Sequence, residues 1–121
     1  MDVDSNNIIL EKSFAFALRI VKLRRYLTTD AEQKEYDISK QLLRSATSIG
    51  ANIEEAQGAQ SNADFLSKIS IAYKEARETR YWIRLLLAAG YIRQREEESL
   101  LADIEEICRI LSSIIMKMKN K

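Results

Sequence analysis

The stretch QLLRSATSIGANIEEAQG, residues 41–58, decides the fold class. Its apolar residues recur at alternating intervals of four and three, which is the spacing of one face of an α-helix. These residues are Leu42, Ala46, Ile49, Ile53 and Ala56. The glycine at position 58 is a residue type that commonly ends a helix. The stretch therefore predicts an amphipathic helix with one face turned towards a core.

The same spacing continues on both sides of this stretch. Apolar residues at helical intervals run from Ile9 to Leu27, from Phe65 to Leu86 and from Leu100 to Met118. We predict four helices at about 6–27, 31–57, 62–89 and 94–118. Two S/T-x-x-D/E patterns predict helix starts: Thr29 with Glu32 for the second helix, and Ser61 with Asp64 for the third.

The predicted connections are only a few residues long. Short connections make consecutive helices antiparallel neighbours, and a repeat near 3.5 residues favours shallow, left-handed crossings. The prediction is an all-α protein, a single antiparallel up-down-up-down four-helix bundle covering residues 1–121.

The composition excludes several classes of function. The chain has no His, no Pro, one Cys and a formal net charge of +1. Without His, the Ser-His-Asp and Cys-His triads and the usual metal sites of helical bundles cannot form, so we expect no catalytic residues, no metal and no cofactor. The polar start MDVDSNN is unlike a signal peptide, and no apolar run is long enough to cross a membrane. We expect a cytoplasmic protein that is not an enzyme, with no small-molecule substrate and no membrane partner.

A polar stripe runs beside the apolar stripe of the second helix, and a flank of the third helix offers partners for it. Small residues and the mid-helix Gly50, which costs about 1 kcal/mol relative to Ala, suggest tight packing against another helix. One interpretation is a half-exposed polar face. The other is a subunit interface or interhelical network made by Arg44, Ser45, Ser48, Asn52, Glu55, Glu75, Glu78, Tyr81 and Trp82.

Two basic clusters occur on the first and third helices. Their candidate nucleic-acid contacts are Arg19, Lys22, Arg24, Arg25, Arg77, Arg80 and Arg84. A solvated face or an ion-pair belt between subunits is the favoured interpretation, because the whole chain is almost neutral. In the fourth helix, Glu105 and Arg109 are spaced as an ordinary i,i+4 pair, and Cys108 is expected to be a buried, inert thiol.

Two motifs give the sequence a resemblance to a known family. They are RSATSIGANIEE at 44–55 and DFLSKISIAYKEARETRYWIRLL at 64–86. The chain resembles, over nearly its whole length, the bacterial four-helix-bundle proteins named for open reading frames in intervening sequences of 23S ribosomal RNA genes.

The resemblance implies a ring, most simply a homopentamer, with no catalytic residues. A related branch is the accessory protein of diversity-generating retroelements, which resembles a basic ring that engages a reverse transcriptase and nucleic acid. The near-neutral charge of this chain departs from that branch. We therefore expect a non-enzymatic self-assembling scaffold or adaptor for a protein or nucleic-acid partner. The alternative is direct, sequence-independent RNA or DNA binding through helices one and three.

Overall fold

A computed structural model of the protein describes residues 3–120, and the side chains from residue 6 onward. It contains four α-helices: α1 (Val3–Arg25), α2 (Asp37–Gln57), α3 (Asn62–Ala88) and α4 (Gln94–Lys119). A single π-helical turn, Tyr26–Asp30, continues α1. All regular structure between residues 3 and 120 is helical, which confirms the predicted all-α class.

The apolar stripes meet in one core. α2 packs against α1 and α3, and α4 packs against α3 and α1. The α2 stripe that starts at Leu42 and ends at Ala56 is buried along its whole length, as the sequence predicts. Ile9 and Ile20 from α1, Ile69 and Ile83 from α3, and Ile104 and Leu111 from α4 are also fully buried. Burial of these apolar side chains, at about 1.5–3 kcal/mol each, drives the helices together.

The start of α2 differs from the prediction. The capping box of Thr29 and Glu32 is wrong, because Thr29 lies in the π-helical turn and its hydroxyl donates to the Arg25 carbonyl at 2.5 Å. Residues 31–36 instead form a connection, and α2 begins only at Asp37.

Glu35 supplies the missing helix start. Its buried carboxylate accepts hydrogen bonds from the amides of Asp37, Ile38 and Ser39 at 2.9, 2.9 and 2.6 Å. These amides belong to the first turn of α2 and have no carbonyl partner within the helix. Glu35 therefore makes Asp37 a better helix start than residue 31.

The two ends of α3 follow local sequence signals. The Ser61 hydroxyl oxygen accepts from the Asp64 amide at 3.0 Å, which confirms the predicted cap. Gly90 has a φ of +87°, and its amide donates to the Leu87 carbonyl while the Tyr91 amide donates to the Leu86 carbonyl, both at 2.9 Å. This pair of bonds is a Schellman motif, which requires a left-handed residue after the helix and so favours glycine.

Candidate assembly and binding surfaces

A buried hydroxyl pair joins α2 to α3. Ser45 and Thr79 are both fully buried, and the Thr79 hydroxyl donates to Ser45 Oγ at 2.8 Å. Small hydroxyl side chains let the two helices approach closely. Each hydroxyl also bonds to a carbonyl of its own helix, Ser45 to Leu42 at 3.3 Å and Thr79 to Glu75 at 2.8 Å, so both buried groups are satisfied.

An ionic cluster lies at the surface above this pair. The Arg44 guanidinium contacts Glu75 at 3.3 Å and also bonds to Glu78. The Trp82 indole nitrogen donates to the same Glu78 carboxylate at 2.9 Å, and the Trp82 ring meets Tyr81 edge to face with centroids 4.9 Å apart. These residues, predicted as an interface or an interhelical network, therefore contact one another within a single chain.

The remaining members of the predicted stripe make other contacts. The Asn52 amide donates to the Ser48 carbonyl at 2.8 Å and to Ser48 Oγ at 3.1 Å, so both bonds lie within α2. Glu55 pairs with Lys68 of α3 at 3.3 Å. Contact of this stripe with a second copy of the chain stays a prediction.

The predicted cations of α1 are directed to α4 and α2. Arg19 bonds to Asp103 at 2.5 Å and to Ser99 at 3.1 Å, both on α4. Arg24 donates to Ser39 of α2 at 3.4 Å. Lys22 and Arg25 are exposed on α1. Arg19 and Lys22 line a hollow with Glu96 and Leu100 of α4, whereas Arg77 and Arg80 of α3 lie beside Glu105 of α4, so the cations of α1 and α3 lie on different faces of the bundle.

A long groove between α3 and α4 collects the cations of α3 with others that the sequence reasoning missed. It encloses about 1020 Å³. Its lining residues, which we call the α3/α4 groove, are Tyr73, Arg77, Arg80, Glu105, Cys108, Arg109, Ser112, Ser113, Met116, Lys117 and Asn120. Arg84 is exposed on α3 and is not part of this lining.

The sequence predicts an i,i+4 pair of Glu105 and Arg109, and the structure instead places Arg109 in the lining of the groove. Glu105 pairs not with Arg109 but with Arg80 of α3, at 3.5 Å. Arg109 and Lys117 follow the flank of α4 that faces α3, and the helical period along that flank is the signal that could have identified them. Cys108 precedes Arg109 and lines the same groove, and burial raises the pKa of its thiol above the usual value.

The outer face of α1 and α2 carries an apolar patch. Phe14 is 74% exposed and Leu18, one turn later, is 46% exposed. Beside them, Ala17, Gly50 and Ala51 line a hollow of about 250 Å³. We call these five residues the Phe14 patch.

Gly50 is not explained by packing within the chain. A methyl group added at Gly50 would meet its nearest neighbour, Ser13 Oγ, at 3.6 Å, which is an ordinary van der Waals contact. The chain itself therefore tolerates a methyl group at position 50, and the tight packing of Gly50 against another helix stays a prediction. Gly50 lines the hollow of the Phe14 patch and adds no side chain to it.

An exposed ion pair ties α1 to α4. Lys12 Nζ lies 2.7 Å from Glu106 Oε1. The hydrogen bond, helped by the attraction of the two charges, lowers the pKa of Glu106 and raises the pKa of Lys12.

The described chain offers no metal centre and no membrane span. Between residues 3 and 120, His, Cys, Asp and Glu side chains form no group of three that could hold a metal ion. Over the same residues, no helix combines the length and apolar character needed to cross a bilayer.

Comparison with known proteins places the chain in a family. No protein with a curated description matches its sequence. A crystal structure of a Bacteroides thetaiotaomicron protein of unknown function, from the S23 ribosomal protein family, superposes with a TM-score of 0.88. The two are 48% identical, and the match covers 93% of this chain and 98% of the other. Residues 5–113 also match the sequence profile of the 23S rRNA-intervening sequence proteins, so the chain belongs to that family.

Proposed function

We propose that this protein is a non-enzymatic, self-assembling module that presents a repeated surface to a partner. In this proposal one antiparallel up-down-up-down bundle is the repeating unit of a cyclic homopentamer in the cytoplasm. The ring, its pentameric number and its scaffold or adaptor role follow the resemblance of the sequence to its family. The observation that carries self-assembly is the exposed Phe14 patch.

Ion pairs between helices support the antiparallel arrangement. Lys12 pairs with Glu106, whereas Arg19, further along α1, pairs with Asp103, which comes earlier in α4. Arg44 and Glu55 of α2 likewise pair with residues of α3 in reversed order. Partner positions that fall on one helix as they rise on the other are typical of antiparallel neighbours.

The Phe14 patch has the features of a contact between subunits. Phe14 is 74% exposed. Burial of a phenylalanine side chain against another copy contributes about 1.5–3 kcal/mol of transfer free energy. Gly50 and Ala51 add little side-chain volume to the neighbouring hollow, whose lining also includes Leu10 and Glu54. In an assembly, the Phe14 ring can insert into a second copy, and a side chain of that copy can enter the hollow.

Direct nucleic-acid binding through α1 and α3 is the weaker alternative. The chain carries a net charge of only +1, and Arg19 and Arg80 are paired with carboxylates. Because the cations of α1 and α3 lie on different faces, they do not support one continuous binding surface. We expect RNA and DNA titrations at low salt to show no binding through these two helices; binding that weakens steeply with salt would favour the alternative.

Light scattering of purified Phe14→Asp and Tyr81→Asp proteins tests the proposal. Tyr81 is also an exposed aromatic, at 55%, and represents the competing interface predicted on α2 and α3, so the two variants decide between the two surfaces. We expect Phe14→Asp to reduce the mass to that of the 13.9 kDa monomer. Tyr81→Asp should keep the mass of the unchanged protein.

The reverse pattern would move the interface to the α2/α3 side. A wild-type protein that stays monomeric at micromolar to millimolar concentration would contradict self-assembly itself. Circular dichroism on each variant checks that the helices are retained.

A further inference from the structure

The α3/α4 groove is a strongly biased electrostatic surface on an almost neutral protein. Arg77, Arg80, Arg109 and Lys117 line it, opposed by the single carboxylate of Glu105. Among the ion pairs of residues 3–120, only Arg80 of these four cations has a carboxylate partner. The other three cations can pair with a negatively charged ligand without breaking an existing ion pair.

The same groove has an apolar component. Met116 is 61% exposed, and Tyr73 and Cys108 lie partly buried along the groove. On the α4 side, Ser112 and Ser113 have small side chains, which leave room for a bound helix. Flexible Met side chains adapt to the apolar face of a bound helix, as they do in other helix-binding surfaces.

The groove is long enough for several turns of a helix. Its α4 side extends from Glu105 to Asn120, and its α3 side from Tyr73 to Arg80. At about 1.5 Å per residue these are about 22 Å, or roughly four helical turns, on α4 and about 10 Å on α3. Two packed helices also provide parallel ridges between which a third helix can lie.

We propose that the α3/α4 groove binds an acidic amphipathic α-helix of a partner protein. Its apolar residues at i, i+3, i+4 and i+7 contact Tyr73 and Met116, and Asp or Glu residues on its flanks pair with Arg77, Arg109 and Lys117. This rests on the proposed function in one respect, because it names the class of partner that the module presents itself to.

The groove fits a helix better than it fits a nucleic-acid strand. Single-strand binding sites stack successive bases on several aromatic rings, whereas Tyr73 is the only aromatic residue of this lining. Guanidinium groups bind carboxylates and phosphates alike, but the apolar strip of Met116 and Tyr73 between them matches the apolar face of a helix and not a phosphate backbone. Charge and apolar surface together therefore favour an acidic helix.

A synthetic peptide provides the probe. It has about 16 residues, with leucines at i, i+3, i+4 and i+7 and glutamates on both flanks, so that it spans the groove. Its matched control carries lysines in place of the glutamates, and single-stranded oligouridine is the nucleic-acid comparison. Fluorescence anisotropy at low salt should show binding of the glutamate peptide and not of the other two.

Charge reversal in the protein tests which cations are used. The Arg77→Glu and Arg109→Glu double variant should weaken peptide binding by about tenfold or more, because it places like charges opposite one another. The Lys40→Glu and Arg95→Glu double variant is the control, since both residues are exposed outside the groove and the change in net charge is equal. It should change the affinity by no more than about twofold.

Cys108 reports the location of binding, because it is the single cysteine and lines the groove. A peptide with a central cysteine activated as a pyridyl disulfide should react at alkaline pH, which favours the thiolate of Cys108 despite its raised pKa. The thiolate attacks the peptide sulfur, the peptide S–S bond breaks, pyridine-2-thione leaves, and a mixed disulfide joins the peptide to Cys108. The Cys108→Ser protein should remain unmodified by the same peptide.

Three results would overturn the proposal. They are equal binding of the lysine peptide, binding of oligouridine in place of the glutamate peptide, and loss of self-assembly in the Arg77→Glu and Arg109→Glu variant. The last would mean that a second copy fills the groove. Light scattering of the unchanged protein in the same buffer shows separately whether self-assembly itself, and with it the proposed function, fails.

Discussion

Ser45 and Thr79 place two hydroxyl groups inside a contact that is otherwise apolar. Both are fully buried, and their hydrogen bond crosses from α2 to α3. An apolar stripe alone permits neighbouring helices to slide, whereas the bond between Ser45 and Thr79 forms in one register only. At the scale of single residues, this pair selects the alignment of the two helices.

Removing one hydroxyl should destabilise the protein. We expect Thr79→Val to lower the free energy of unfolding by about 1 kcal/mol, because a side chain of similar shape replaces the hydroxyl that bonds to Ser45 and to the Glu75 carbonyl. Urea denaturation measures the effect, and a double-mutant cycle with Ser45→Ala isolates the pair. Thr47→Val on the exposed face of α2 is the control and should have an effect below about 0.5 kcal/mol. A cycle without coupling would contradict the assigned role.

The ion pair of Lys12 and Glu106 predicts a pH dependence. Because the pKa of Glu106 is lowered in the folded chain, its stabilising contribution is present at neutral pH and is lost as the pH falls through the folded pKa. The raised pKa of Lys12 means that its contribution is lost as the pH rises through the folded pKa.

Replacing the lysine should return Glu106 to ordinary behaviour. In Lys12→Met, we expect an NMR titration of the Glu106 carboxyl to give a pKa closer to the usual value. Lys40→Met, which removes an exposed lysine from α2, should leave the Glu106 titration unchanged. An unchanged pKa in Lys12→Met would show that the pair does not persist in solution.

The elements begin and end where a local group can satisfy unpaired backbone atoms. Ser61 caps α3, Gly90 ends it, and Glu35 starts α2 by accepting three amides. Since the first four amides of a helix lack carbonyl partners, such groups decide the boundaries that the hydrophobic period leaves open.

Two glutamates in one connection test this account of α2. We expect Glu35→Ala to cost about 1–2 kcal/mol of stability, because the first turn of α2 loses its cap. Glu32→Ala should be nearly neutral, since Glu32 is exposed and caps no helix. Thermal or urea unfolding separates the two, and equal effects would contradict the role of Glu35.

Helical period predicted the elements better than their ends. Ile49 and Ile53 repeat strongly enough to define α2, because burial of a whole stripe outweighs local preferences. Thr29 and Glu32 have the spacing of a cap, but the chain continues from α1 into a π-helical turn at that point. A local motif does not show whether the preceding helix continues through it, so the sequence prediction placed the start of α2 too early.

The candidate surfaces were harder to predict than the fold. Arg77 and Arg80 were identified from their own helix, but Arg109 and Lys117 join them only because α4 packs alongside α3. Phe14 lies within the apolar pattern that runs from Ile9 to Leu27, so the sequence alone does not distinguish it from a core residue. Which side chains share a surface depends on packing between helices, which spacing within one helix does not specify.

At the scale of the whole molecule, different pairs of helices form two surfaces. The Phe14 patch belongs to α1 and α2, and the α3/α4 groove belongs to the other two helices. A bundle with separate surfaces can contact a second copy with one and a different partner with the other. In a cyclic assembly each subunit would repeat the groove, so that weak individual contacts add.

Native mass spectrometry of the unmodified protein tests the central claim of self-assembly most directly. We predict one dominant species with five copies of the 13.9 kDa chain, which the Phe14→Asp substitution converts into monomers. A single 13.9 kDa species across the accessible concentration range, in the unmodified protein, would contradict self-assembly.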